Sequence, residues 1–236
     1  MYQLPVTLTT SYVGPDRHLT LPCLFRIFQD VAIEDSEKIG YGHEATLDRG
    51  LLWVFSRVYV RIHHLPAYLS KTSFKTVSGA KKAFLFPRFG TLYDEDGSIA
   101  AEFSSIWALV HEDTRRVEMR PVWFESLDQT DGTEIPLPEK ATPVPALFRS
   151  EHVVQHSEID LNGHMNNIRY IELLVNLHDS AFYQKNQIKE LTIQYESEIH
   201  EGEKIELYVD AKTTYVRGVV GDRIAFEANL VYAPLD

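Results

Sequence analysis

The sequence predicts an α+β fold built as two related modules, and three observations carry that prediction. An amphipathic helix pattern is followed by a series of alternating, strand-like runs. A proline-rich stretch interrupts the chain past its midpoint, and after it the same order returns.

The first helix is expected over Leu21 to Ile39, where Leu24, Ile27, Phe28 and Val31 recur at i, i+3, i+4 and i+7. Pro22 suits its first turn, where a missing N–H leaves no bond unmade. The period then changes. In WVFSRVYVRI, alternation sets Val54, Ser56, Val58, Val60 and Ile62 on one face and Trp53, Phe55, Arg57, Tyr59 and Arg61 on the other. Further strands are expected around Thr72 to Val77, Ala83 to Leu92 and Ala100 to His111, with the turn signal Asp94-Glu-Asp-Gly97 between the last two.

Glu125 to Pro145 contains Pro136, Pro138, Pro143 and Pro145 with little apolar periodicity, and reads as a semi-extended linker. The chain is therefore divided into an N-terminal module at 1–125, a linker at 126–148 and a C-terminal module at 149–236. In the second module a short strand is expected near Glu151 to His156. A helix follows from about Asn166 to His178, with Ile168, Ile171, Leu174 and Val175 on one side. Strands near Leu191 to Ile199, Lys204 to Thr213 and Ala225 to Tyr232 complete it.

With 236 residues, 44% hydrophobic and 11% aromatic, the chain can bury a sizeable core and is not compositionally disordered. A single cysteine, Cys23, rules out an intramolecular disulfide and a cysteine zinc cluster, and points to a reducing compartment. No apolar run approaches the ~20 residues that span a bilayer, and the first twenty residues hold no signal-peptide core, so a cytoplasmic location is expected. A formal net charge of −11 argues against nucleic-acid binding, which needs a cationic surface. Yet Arg49 to Tyr93 carries Arg49, Arg57, Arg61, Lys71, Lys75, Lys81, Lys82 and Arg88 without one acidic residue. Either these form a local positive face for an acidic partner, or they are spread over strand faces and keep a sheet hydrated.

Several motifs fail on context. Gly40-Tyr-Gly-His-Glu-Ala45 fits G-x-G-x-x-A but follows a helix pattern and does not join a strand to a helix, so no dinucleotide site is expected. No serine occupies a G-x-S-x-G elbow. His63-His64, His152 and His156 lack metal-ligand spacing, and neither a metal nor a cofactor is expected.

The stretch from Asp160 to Tyr170, DLNGHMNNIRY, is a loop that ends as a helix begins. Gly163 permits a sharp backbone approach, and Asn166 or Asn167 can cap the helix. Two readings stand side by side. One is an Asx-turn with a capping asparagine and a surface histidine. In the other, Asp160, Asn162 and His164 gather beside helix-start N–H groups that would stabilise a developing oxyanion.

The loop D-x-N-G-H-M-N-N-x-x-Y resembles that of the hotdog-fold thioesterases, and the two-module chain is more narrowly similar to the acyl-acyl carrier protein thioesterases. Leu52-Trp-Val-Phe-Ser-Arg57, Ser105-Ile-Trp-Ala-Leu-Val110 with Thr114-Arg-Arg116, and Leu191-Thr-Ile-Gln-Tyr195 also fall where that family has similar segments. Coverage runs from roughly residue 5 to residue 232. The resemblance implies a tandem (double) hotdog, each module an antiparallel sheet wrapped around a long central helix. It also implies hydrolysis of a fatty acyl thioester on the phosphopantetheine arm of acyl carrier protein, with release of free fatty acid. Asp160, Asn162 and His164 match the family's active-site positions, and Glu198, expected on the strand after the helix, matches its acidic position. Periodicity alone would make Glu198 merely an exposed carboxylate. Plant members often place cysteine after that acid; here Ile199 stands there and Cys23 matches no catalytic position, so a thiolate route is not expected.

On this reading Glu198, aided by His164, deprotonates water, Asn162 positions water or substrate, and Asp160 orients His164 or Asn162. N–H groups at the helix start near Asn166 and Asn167 polarise the carbonyl. The rival assignment makes Asp160 the base or nucleophile. The first module's loop Gly14-Pro-Asp-Arg-His-Leu-Thr20 does not repeat the pattern, so one active site is expected, with the first module shaping the acyl pocket through Phe28, Trp53, Phe55 and Arg57. The basic segment from Arg49 to Arg88 becomes a candidate surface for acidic acyl carrier protein. An acyl-CoA hydrolase and a non-catalytic acyl-binding sensor are the competing functions, and both a monomer and a homodimer fit.

Overall fold

The computed structural model describes residues 2–121 and 135–235, which fall into two units, Met1–Pro138 and Glu139–Asp236. The expected module boundary at 125 and linker residues 126–134 lie outside the described residues.

In the first unit, β1 (Tyr2–Thr7) precedes α1 (Leu21–Lys38), a short α2 (His43–Leu47), and strands β2 (Leu51–Ile62), β3 (Lys71–Ser78), β4 (Leu85–Asp94) and β5 (Ile99–His111). The strands form an antiparallel sheet in the order β1-β3-β4-β5-β2. Helix α1 begins where Thr20 accepts a hydrogen bond from the Cys23 N–H and Pro22 enters the first turn. Its apolar stripe of Leu24, Ile27, Phe28 and Val31 is buried against the sheet. The Phe28 ring lies 4.7 Å from that of Phe103, 5.9 Å from Phe74 and 6.2 Å from Phe55. Burying such a ring stabilises the fold by roughly 1.5–3 kcal/mol. Beneath it the chain must be glycine: a Cβ at Gly90 would meet the Phe74 ring at 2.7 Å and the Phe28 ring at 2.9 Å.

Strand β2 departs from simple alternation. Its pairing with β5 shifts between Phe55, opposite Trp107, and Arg57, opposite Ile106, leaving Ser56 as an extra residue. A slip of one residue exchanges the two faces. Trp53 and Phe55 therefore share a face with Val58, Val60 and Ile62, whereas Arg57 falls on the other face with Tyr59. The expected grouping of Arg57 with Trp53 and Phe55 is corrected accordingly. On the Tyr59 side, Ile135 and Leu137 pack against Tyr59, Phe89 and Val77, so the first described residues of the linker belong to the core of this unit.

The second unit contains β6 (Leu147–Val153), a 3₁₀ turn at His156–Glu158, α3 (Asn167–Val175), α4 (Ser180–Tyr183), β7 (Asn186–Tyr195), β8 (Lys204–Val209), β9 (Tyr215–Val220) and β10 (Arg223–Pro234). Its antiparallel sheet runs β7-β10-β9-β8-β6. Helix α3 lays Tyr170 edge-on against Phe226 and Tyr195, each 5.2 Å away between ring centres. The long helix expected to reach His178 is only nine residues. It stops at Asn176 because Asp179 caps a new turn, accepting from the Phe182 N–H, and starts α4. Strand β7 also ends earlier than expected. The N–H groups of Glu196 and Ser197 both donate to the Ala225 carbonyl, which closes the ladder. Glu198 is thus in a loop after the strand. Strand β9 was not foreseen; Asp210 shapes the turn before it by accepting from the N–H groups of Thr214 and Tyr215 at 2.6 and 2.8 Å.

Candidate active site

The Asp160 loop is held by its own backbone. The Asp160 N–H donates to the His164 carbonyl at 2.9 Å and the Gly163 N–H to the Asp160 carbonyl at 3.1 Å, with Gly163 at φ 81°. That left-handed conformation suits glycine and tightens the loop. Asp160 Oδ1 also accepts from the Asn162 N–H at 2.8 Å, so the Asx-turn reading holds. Asn166 is the cap: its side chain accepts from the Ile168 N–H at 2.9 Å. Loop and Glu198 segment are joined where the buried Met165 donates its N–H to the Ile199 carbonyl at 2.7 Å, and where His200 Nδ1 meets the Gly163 carbonyl at 3.2 Å.

These ties place His164 between two carboxylates. Its Nδ1 is 3.7 Å from Asp160 Oδ2 and its Nε2 is 3.8 Å from Glu198 Oε1. The side chains of His164 and Asp160 are 15% and 14% exposed, while that of Glu198 is 30% exposed, so Glu198 is the more open to solvent. Burial pushes the Tyr170 hydroxyl above its ordinary range, and the nearby Asp160 and Glu198 carboxylates push it in the same direction against the Arg223 guanidinium. Tyr170 is thus buried close to both carboxylates.

The helix start provides one donor. The Asn166 N–H is taken by the Glu158 carbonyl, the Ile168 N–H by Asn166 Oδ1, and the Arg169 N–H by the Asn166 carbonyl. Among the described residues, none accepts a hydrogen bond from the Asn167 N–H. The expected use of N–H groups near Asn166 therefore narrows to Asn167.

The structure brings the side chains of Asp160, His164 and Glu198 together, with Asn162 in the same loop and Asn166 and Asn167 at the start of the helix that follows it. In the first unit, Phe28 lies within the aromatic core; Phe55, 9% exposed, packs on Trp107 at 3.6 Å between ring centres. Trp53 is half-buried beside Leu51, Phe86 and Leu109, and its indole N–H donates to the Tyr41 carbonyl. The basic segment is not one surface. Arg88 is buried, bonded to Asp35 of α1 at 2.6 Å and to Thr76, Ser36 and Ser78, so it is removed from any patch. Arg61 faces Glu102 at 3.8 Å and Lys71 faces Glu95 at 3.5 Å. Two neighbours of the site were not foreseen. Tyr170 was visible as the end of the loop motif, but Arg223 stands 25 residues from Glu198, whose carbonyl it contacts, and no spacing signals it.

No described helix is long and apolar enough to cross a membrane, and no described group of three or more His, Cys, Asp or Glu side chains is placed to hold a metal ion.

Comparison with known proteins supplies the lineage. The chain is 24% identical over 208 residues to the chloroplastic dodecanoyl-[acyl-carrier-protein] hydrolase of Cinnamomum camphora, covering 79% of this chain and 53% of the relative. It is 23% identical over 229 residues to the chloroplastic oleoyl-acyl carrier protein thioesterase 2 of Arabidopsis thaliana, covering 87% and 62%. The chain thus spans between half and two thirds of these relatives. Among solved structures, an acyl-ACP thioesterase from Bacteroides thetaiotaomicron superposes with a TM-score of 0.89 at 20% identity, covering 98% of this chain and 97% of the other. The 12:0-ACP thioesterase of Umbellularia californica gives 0.82 at 18% identity, covering 99% and 97%. Residues 2–122 match the acyl-ACP thioesterase N-terminal domain and residues 142–224 its C-terminal domain, so the chain belongs to the acyl-ACP thioesterase family.

Proposed function

We propose that this chain hydrolyses fatty acyl thioesters on acyl carrier protein, releasing free fatty acid and ending chain elongation. The observation that carries the reading is the placement of His164 between the Asp160 and Glu198 carboxylates beside the start of α3. Each unit, with a helix packed on an antiparallel sheet, is read as one hotdog module of a tandem pair.

Glu198 takes a proton from water as the water oxygen adds to the thioester carbonyl carbon. The carbonyl electron pair moves onto oxygen, where the Asn167 N–H stabilises it. Collapse restores the carbonyl and breaks the C–S bond. The departing thiolate of the phosphopantetheine arm receives the proton through His164, leaving free acid and thiol. The distance of 3.8 Å from His164 to Glu198 is one that substrate binding can tighten. Asp160 is assigned orientation because its Oδ1 is already committed to the Asn162 N–H. Glu198, the more exposed carboxylate, is assigned the water. Trp53 and Phe55 are assigned to the acyl chain; Phe28 supports them from within the core.

Turnover of a panel of acyl carrier protein thioesters beside matched acyl-CoA thioesters tests this. Preference for carrier-protein substrates supports the proposal. Preference for acyl-CoA transfers it to the competing hydrolase, and no turnover of either class contradicts it.

A further inference from the structure

Because Glu198 lies beyond the last ladder bond of β7, the sheet does not fix it. Its loop is instead held from one side by Arg223, the first residue of β10. One guanidinium nitrogen, Nη1, donates to Ser197 Oγ at 2.8 Å and also to the Glu198 carbonyl. The other, Nη2, donates to both carboxylate oxygens of Glu203 at 2.7 Å. Glu203 in turn accepts from the His200 N–H at 2.7 Å. A single side chain thus touches the residue before Glu198, Glu198 itself and the acid that closes the loop.

We infer that Arg223 is a positioning residue that sets the Glu198 carboxylate toward His164, an inference that rests on Glu198 being the base. The guanidinium is planar, and its fork serves Glu203 on one edge while the other nitrogen reaches Ser197 and Glu198. A lysine ammonium is a point charge on a flexible stem and cannot hold both sides in one geometry. The Arg223 and Glu203 side chains are 37% and 31% exposed, and ion pairs so placed contribute little to stability. Their effect is therefore geometric, and its loss reaches turnover more than folding.

The test is a double-mutant cycle on wild type, Arg223→Met, Glu198→Gln and the double variant. Arg223→Lys serves as a second single variant, and the substrate is the acyl carrier protein thioester that wild type hydrolyses fastest. Arg223→Met is expected to lower kcat by about tenfold to a hundredfold, because small misplacements of a reacting group cost that much. KM is expected to hold within about twofold, since substrate binding is not what is lost. Arg223→Lys is expected to fall between wild type and Arg223→Met. In the Glu198→Gln background, measured as residual turnover at high enzyme concentration, Arg223→Met is expected to cost nothing further. Wild-type kcat in Arg223→Met, or losses that multiply in the double variant, overturn the inference. If Arg223→Met does not fold, Arg223→Lys decides alone: lowered kcat at unchanged KM supports positioning, and wild-type kcat overturns it. Full turnover by Glu198→Gln removes the base assignment and this inference together. An inactive Glu198→Gln beside a fully active Arg223→Met removes only the inference.

Discussion

Nε2 of His164 stands 3.8 Å from Oε1 of Glu198, although the two residues belong to separate loops. The Met165 N–H bonded to the Ile199 carbonyl brings those loops together. Nδ1 of the same ring faces Asp160 at 3.7 Å, and in the proposed mechanism Asp160 orients the imidazole on that side while the other side exchanges a proton.

Asp160→Asn tests the orienting role. The carboxamide oxygen can still accept from the Asn162 N–H, so the loop should keep its turn, while the charge facing His164 is lost. The expected result is a folded protein with kcat reduced about a hundredfold, within the range for disturbed acid–base catalysis. Steady-state kinetics beside a circular dichroism spectrum provides the check.

Arg88 and Asp35 predict a stability effect remote from the chemistry. Their side chains are 8% and 5% exposed and 2.6 Å apart. Burial pulls the Arg88 guanidinium below its ordinary value while Asp35 opposes that shift. Arg88→Met strands the Asp35 carboxylate and should cost about 3–5 kcal/mol, whereas Arg88→Met with Asp35→Leu should recover most of the loss. Urea unfolding midpoints measure both.

Asp210 predicts an acid limb. Partial burial pushes its carboxyl up, but the N–H groups of Tyr215, Lys212 and Thr214, with the Thr214 hydroxyl, hold it below its ordinary range. A folded value below the unfolded one adds stability above the unfolded pKa of about 3.9. That stability is lost as the pH falls through the lowered folded value. Melting temperature should therefore fall more steeply with acid in wild type than in Asp210→Asn.

The remaining exposed cations Arg49, Lys81 and Lys82 predict salt sensitivity. If they steer an acidic carrier protein, raising salt from about 20 mM to about 500 mM should depress turnover of carrier-protein substrates far more than of short thioester analogues. Equal sensitivity removes the steering role.

Local pattern located helix α1 to within a residue and most strands, because its apolar stripe and Pro22 are read within one segment. It also located the Asp160 loop, whose turn and cap are made by neighbours in sequence. Several of the misses depend on partners far along the chain. The extra residue at Ser56 exists only in the pairing of β2 with β5, and it moved Arg57 to the other face. The end of β7 is set by Ala225, which placed Glu198 in a loop. Arg88 looked like surface charge until Asp35, 53 residues away, was seen against it. Arg223 was hidden for the same reason.

In the proposed mechanism Glu198 takes the proton from water. The most direct measurement is kcat of Glu198→Gln on acyl carrier protein thioesters, with folding verified and Asp160→Asn measured alongside. A loss of at least about a hundredfold is expected in Glu198→Gln. Near-normal turnover by folded Glu198→Gln, with Asp160→Asn inactive, would contradict it and make Asp160 the base or nucleophile.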